Sequence, residues 1–185
     1  MTDSDAMRLA DIERGPARLE DIERRLARLE DIEALHRLRY RYHELINSNA
    51  WEDHAAELFT DDALMDYAHL GTPRGREEIA AFFGAATAGV TGSPSPTEPP
   101  FVKQFVHAHD VRLDERDADR ATGISYLEAK PVYRGESFLV SGRFDDVYRR
   151  VDGRWLFAEV RLDVWFMVPA HEGWSSPDRI KMQLR

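Results

Sequence analysis

The sequence predicts an α+β fold, helices first and an antiparallel sheet afterwards, on three observations. The N-terminal quarter is periodic at the helical spacing. The C-terminal half holds four long apolar or alternating runs rich in Val, Phe, Tyr and Trp, and turn signals such as Asp152-Gly153 separate them. At 185 residues, the chain suits one compact domain with an N-terminal extension.

Taken in order, the chain opens on a pentapeptide that recurs every ten residues: LADIE from Leu9, then LEDIE from Leu19 and Leu29. Pro16 has the fixed φ of a first helical residue. From residue 17 to 46 the pattern is helical with two stripes. Leu19, Ile22, Leu26 and Leu29 form one; Leu35, Leu38, Tyr42, Leu45 and Ile46 form another on nearly the opposite side. One straight helix on one sheet cannot bury both. Either the helix breaks near residues 30–34, or its first half packs on something else, most economically another subunit. The first stripe is too short for a coiled coil of several heptads.

Residues 50–59 read as a short helix bearing Trp51, ended by the acidic turn Asp61-Asp62, and residues 63–67 as a short strand. GTPRG at 71–75 is a turn before a helix over 76–86, and residues 89–100 form a Pro/Gly/Ser/Thr loop. Long strands follow over 101–113, 121–133, 138–149 and 155–168, in series and therefore as a meander. The last segment, 169–185, has no evident partner and is expected to cover the mouth of the fold or to lie loose.

Composition bounds the function. A net charge of −9, with arginines interleaved among Asp and Glu, opposes sequence-independent nucleic-acid binding. No apolar run reaches membrane-spanning length and the N-terminus has no apolar leader core, so the expected address is the cytoplasm. Without cysteine there is no disulfide framework, thiol nucleophile or thiolate metal site. Ser125, Ser137 and Ser141 lack a nucleophile-elbow context, and there is no Gly-rich phosphate loop.

Several stretches together resemble the SnoaL-like branch of the nuclear-transport-factor-like superfamily, which includes scytalone dehydratase, bile-acid 7α-dehydratase and polyketide cyclases. They are YHELINSNAWEDHAAELFTDDALMDY, GTPRGREEIAAFF, the strand carrying His107, GRFDDVYRRVDGRW and AEVRLDVW, spanning residues 35–168. The resemblance implies a cone: a curved sheet wrapped by N-terminal helices around an apolar pocket. It divides the chain into a helical arm (1–34), the cone domain (35–168) and a tail (169–185).

Candidate site residues follow. On a regular strand His107 and His109 share a face, and an imidazole titrates near neutrality, so His107 can act as general acid or base. In similar dehydratases a histidine at this place on the strand removes the proton beside the leaving hydroxyl. The plain alternative is a hydrogen-bonded structural histidine. The pair also raises a metal, but a site needs a third ligand, and none is expected. Tyr42 and Tyr67 are candidates for holding an oxygen by hydrogen bonding, against simple ring packing. Many relatives carry an aspartate where this chain has Asn47, which cannot ionise. Glu128 is a candidate replacement carboxylate, though a surface glutamate is the commoner case.

On the last strand Arg161, Asp163 and Trp165 share a face. An Arg–Asp pair in a pocket can polarise an oxygen and activate water, as the resemblance to limonene-epoxide-hydrolase-like proteins implies; a cross-strand ion pair is the alternative. The expected function is cofactor-independent acid–base chemistry on a hydrophobic oxygenated molecule such as a steroid, polyketide or terpenoid. Dehydration or isomerisation leads: His107 moves the proton, Tyr42 positions oxygen, Arg161 and Asp163 support charge, and Tyr67, Asn47, His109, Glu128 and Trp165 contact substrate. Epoxide hydrolysis, cyclisation and a non-catalytic ligand-binding or assembly subunit are the alternatives. The unpaired stripe at 17–30 predicts a homodimer or homotrimer, with no nucleic-acid or membrane partner.

Overall fold

The computed structural model describes residues 3–50, 55–90 and 101–181, with side chains over 15–50, 57–84 and 101–181. The repeat copy at residues 9–13, the expected helix residue Trp51 and most of the 89–100 loop fall outside the described side chains or residues. Helix α1 runs unbroken over Asp3–Asn47. The expected break near residues 30–34 does not occur, because the helix meets the sheet only from Asp31 onward. There Asp31 accepts hydrogen bonds from Trp155 Nε1 at 2.9 Å and Arg150 Nη2 at 2.8 Å, pinning the rod to the far hairpin. Pro16 lies inside the helix rather than at its start, where its missing N–H leaves one helical bond unmade.

The C-terminus of α1 has a clear local cause. Asn49 adopts φ 56°, Ala50 N–H donates to Leu45 O at 3.0 Å, and Asn49 N–H donates to Ile46 O at 3.2 Å. This is the Schellman pattern, with asparagine in the left-handed position usually held by glycine.

A five-stranded sheet follows, with β1 at Phe59–Asp66, β2 at Val102–Leu113, β3 at Arg120–Tyr133, β4 at Glu136–Val151 and β5 at Arg154–Pro169. Helix α2, Gly75–Val90, lies between β1 and β2. The strand order is β1-β5-β4-β3-β2. The four long strands form the expected antiparallel meander, whereas β1 joins β5 in parallel. No hairpin links β1 to β5, so nothing forces them to be antiparallel. The short helix expected at 50–59 is described only as a 3-10 turn, Ala55–Leu58. Asp61 and Asp62 do not end it but lie in β1, their carboxylates paired with Arg76, at 2.8 Å, and Arg149.

The sheet curves around the C-terminal half of α1. Leu35, Tyr42 and Leu45 bury against Phe59 and Met65 of β1, Ile79 of α2, Leu127 of β3, Phe144 and Tyr148 of β4, and Phe157 and Val160 of β5. The core is strongly aromatic: the Tyr42 ring meets those of Phe59, Phe83, Phe144 and Phe157 edge-on at centroid distances of 5.8–6.4 Å.

The tail, rather than lying loose, is held against β5 by hydrogen bonds and ring stacking. Met167 N–H donates to Arg179 O at 2.6 Å, Lys181 N–H donates to Met167 O at 2.8 Å, and the Trp174 ring stacks on Phe166 at 5.2 Å. It thereby covers the edge of β5 beyond the reach of β1, where an open ladder would otherwise invite foreign strands. Among the described residues no helix is long and apolar enough to cross a membrane.

Candidate active site

The functional groups sort by strand parity. On β3, Ala121, Gly123, Ser125, Leu127 and Ala129 are buried while their neighbours between them are not. Strand β4 sends Phe144, Asp146 and Tyr148 inward, and β5 sends Val160 and Leu162 inward. Strand β2 changes parity midway. Its pairing with β3 runs His107↔Tyr126 and then Asp110↔Ile124, three residues against two, with Ala108 at φ 47°. This β-bulge makes the strand spend one residue without alternating. His107 therefore points out with Phe105, and His109 points in.

That geometry corrects the expectation that the two histidines share a face, and it leaves His107 and Asp163 apart from the buried Tyr42. His107 stands outside with a side chain 57% exposed, 3.7 Å from Glu128, which also faces out and takes Lys130 at 2.9 Å. Arg161 is outside too, paired with Asp66 at 3.3 Å and Glu159 at 3.0 Å, since Val160 and Leu162 take the inner face. Asp163 accepts the Trp165 indole N–H at 3.3 Å on the same outer surface, and Trp165 leans on Tyr126 at 5.7 Å. On opposite faces, His107 and His109 cannot share one metal ion.

Asn47 is committed to structure. Its Nδ2 donates to Gln104 O at 2.8 Å and its Oδ1 accepts from Gln104 N–H at 2.6 Å, an amide clamp between the end of α1 and β2. Aspartate would keep only the second bond and set a charge against a carbonyl.

Tyr42 and Tyr67 do come together: both are buried and their hydroxyls are hydrogen-bonded. Beside them lies a polar cluster that the sequence pattern alone did not single out. Arg39, fully buried on α1, donates Nε–H to Asp146 Oδ2 at 3.1 Å and pairs through Nη2 with Oδ1. Its guanidinium rests over Phe144 at 4.4 Å, Phe157 at 4.7 Å and Tyr42 at 4.9 Å. Tyr148 Oη donates to Asp146 Oδ2 at 2.7 Å and lies 2.9 Å from His109 Nε2. Every group touching Asp146 is a donor, so the carboxylate is the form that satisfies them all. Burial pushes its pKa above the usual carboxylate value, and Arg39 and the Tyr148 hydrogen bond offset that push only in part.

Donor counting then fixes a tautomer. The Tyr148 proton is committed to Asp146, so Tyr148 Oη accepts from His109 Nε2–H, and His109 Nδ1 carries a lone pair. His43 Nδ1 meets Gln104 Oε1 at 3.0 Å and donates to it, which leaves the lone pair on Nε2. His109 Nδ1 and His43 Nε2 are both buried with no hydrogen-bond partner among the described residues. Both imidazoles are uncharged near neutrality. Burial first, and Arg39 after it, lower each pKa to about 3; His36 contributes to that shift on His109, and His109 to that on His43. The His36 ring lies 5.1 Å from that of His109. Burial raises the Tyr42 and Tyr148 hydroxyls well above the ordinary phenol range, so both stay protonated donors.

Gly123 supplies the room for this arrangement. A Cβ there would lie 2.9 Å from His109 Nε2, 2.9 Å from Tyr148 Cε2 and 3.0 Å from Tyr148 Oη. Gly123→Ala is therefore expected to push the two rings apart, at a cost of about 1–3 kcal/mol. Thermal denaturation measures the loss. The bond to Tyr148 is expected to give His109 an observable imidazole N–H signal in the parent that vanishes in the same variant, and an unchanged melting point with that signal intact would contradict the packing.

A model of the family described as "SnoaL-like domain" matches residues 27–161. No curated protein matches the chain in sequence. Among solved structures, a hexachlorocyclohexane dehydrochlorinase (LinA) of type 2 superposes with TM-score 0.63 at 22% identity, covering 83% of this chain and 98% of that one. A provisionally assigned scytalone dehydratase of Novosphingobium aromaticivorans gives TM-score 0.62 at 20% identity, over 78% of this chain and 90% of its own. An NTF2-like protein with a cystatin-like fold from the same organism gives 0.63 at 21%, over 80% and 90%. At such identities the likeness establishes the fold.

Proposed function

The chain belongs to the SnoaL-like domain family, and from that starting point we propose that it is a cofactor-independent acid–base enzyme. Its substrate is a hydrophobic oxygenated small molecule of the steroid, polyketide or terpenoid kind, and its reaction is an elimination or isomerisation beside a carbonyl. The observation that carries this reading is the pair of buried, uncharged imidazoles, each with a lone pair that meets no hydrogen-bond partner among the described residues. His109 and His43 take the proton-transfer role in place of the outward His107. Two of the similar structures bear names denoting loss of hydrogen chloride and of water, which fits an elimination.

In the dehydration form, an imidazole lone pair takes the proton from the carbon beside the carbonyl. The C–H electrons become the new C=C bond, the β C–O bond breaks, and the departing oxygen recovers the proton as water. Arg39, held by Asp146, contributes positive potential toward the developing enolate, and the Tyr42–Tyr67 hydroxyl pair is the polar feature of an otherwise aromatic wall that suits a substrate oxygen. The depressed basicity belongs to charging an imidazole alone. When the proton comes from a neutral substrate, imidazolium and enolate form together and attract each other in a low-dielectric interior. Epoxide hydrolysis loses its support, because Arg161 and Asp163 face away.

Deuterium exchange tests the reading without knowledge of the natural substrate. With 2-tetralone as a probe in D2O, proton NMR should show exchange beside the carbonyl accelerated by the protein and reduced at least about tenfold by His109→Asn or His43→Asn, within the usual range for a general base. His107→Ala should leave the rate unchanged. The weak basicity of both imidazoles also favours a second reading, a non-catalytic ligand-binding subunit. Saturable binding of the ketone without any exchange would select it and sink the enzymatic one.

A further inference from the structure

The N-terminal half of α1 stands clear of the cone with its own apolar stripe. Leu19, Ile22, Leu26 and Leu29 are between 47% and 64% exposed, and their 3-4-3 spacing is that of a and d positions over two heptads. The flanking positions are all charged. Arg18 and Arg25 precede the a residues, at g, and Glu23 and Glu30 follow the d residues, at e. In a parallel pair of helices each g residue faces the e residue five positions later on the other strand, so Arg18 meets Glu23 and Arg25 meets Glu30 of the second copy. An antiparallel pair would set arginine against arginine and glutamate against glutamate. Arg18, Glu23 and Glu30 form no ion pair with the described residues of their own chain.

We propose that two copies of this chain associate through residues 18–30 as a parallel, in-register two-stranded coiled coil. The family match begins only at residue 27, so most of the seam, including Leu19, Ile22 and Leu26, lies N-terminal to the matched SnoaL-like domain. Two heptads alone would be marginal, since isolated short helices pay a nucleation cost. Here the helix is already formed and anchored at Asp31, so pairing orders only side chains. The geometry also permits it: at about 100° per residue the seam residues point nearly opposite to Leu35, Arg39 and Tyr42, so the two cones hang outside the stem without meeting. Fully charged e and g positions restrict the apolar strip to a and d, which suits two strands rather than a wider bundle.

The test uses the full-length chain, which contains no cysteine of its own. Multi-angle light scattering should give a dimer at tens of micromolar. Leu26→Glu, a change at an exposed position, should yield a monomer whose circular dichroism still reports a folded cone. Ile22→Cys should cross-link to its own copy under mild oxidation, because in-register pairing places residue 22 opposite itself. Arg18→Glu with Arg25→Glu should weaken association about tenfold or more, and adding Glu23→Arg with Glu30→Arg should restore it. A monomer at every concentration, a trimer or larger assembly, a dimer indifferent to Leu26→Glu, or cross-linking only when Ile22→Cys chains are mixed with Leu26→Cys chains would each overturn the proposal. None of these outcomes bears on the exchange assay, so the two readings stand or fall separately.

Discussion

Replacing Asp146 by alanine is expected to lower the unfolding free energy by about 3–5 kcal/mol, the usual penalty for leaving one member of a buried ion pair uncompensated. Arg39 is fully buried among aromatic rings; desolvation is the strongest single influence on it, and Asp146, Tyr148 and Tyr42 together outweigh that desolvation and hold its pKa above the ordinary arginine value. It cannot neutralise itself by losing a proton. Without the carboxylate it must drag water into the core or leave it, and Tyr148 loses its acceptor at the same time. Urea denaturation measures the effect. Arg39→Met combined with Asp146→Leu should recover much of the loss, since the pair is then replaced by apolar groups rather than broken. A single Asp146→Ala variant within about 1 kcal/mol of the parent would mean that the pair is not sealed from solvent.

Acid should destabilise the protein well above the pH at which its carboxylates titrate. In the fold His43 and His109 have pKa values near 3, against 6.5 for the free side chain. Between those values the unfolded chain binds protons that the native state refuses, so stability is full above about pH 6.5 and falls as the pH drops toward 3. For His43, the more buried of the two, the loss reaches roughly 3 kcal/mol by about pH 4, at 1.4 kcal/mol per unit. His109 adds in the same direction. Melting temperatures between neutral pH and that point should trace the decline, and His43→Asn, which keeps a donor for Gln104 but cannot titrate, should flatten it. A melting temperature constant down to pH 4.5 would show that both imidazoles charge freely in the native state.

How far the sequence could be read follows from particular residues. The meander was legible because four strands in series with turn signals leave little choice, and the two stripes of α1 were legible because the helical period is strict. The failure at His107 has one cause: the bulge at Ala108 inserts a residue with no glycine or proline to mark it, and every parity argument on β2 then fails on one side of it. Arg161 and Asp163 were readable in principle, since Val160 and Leu162 between and before them mark the inner face. The interior cluster left a fainter trace. Arg39 and His43 occupy positions on the apolar stripe of α1, and Asp146 sits between Phe144 and Tyr148 on the inward face of β4. A polar residue at a core position is the signal, and such a residue needs buried partners wherever it occurs.

The unbroken rod of α1 makes the junction at residues 30–34 a phase setter rather than a hinge. Each residue inserted there would advance the seam by about 1.5 Å and turn it by about 100° around the axis relative to the cone. One insertion would swing Leu19 and its companions out of opposition to Leu35 and Tyr42, and seven would bring them back to within about 20° of the original azimuth. From Ile22 to His43 the rise along the axis is roughly 30 Å without an interruption. Two chains joined at their stems would therefore hold their interiors at a fixed mutual bearing, back to back, each opening toward its own side of the assembly.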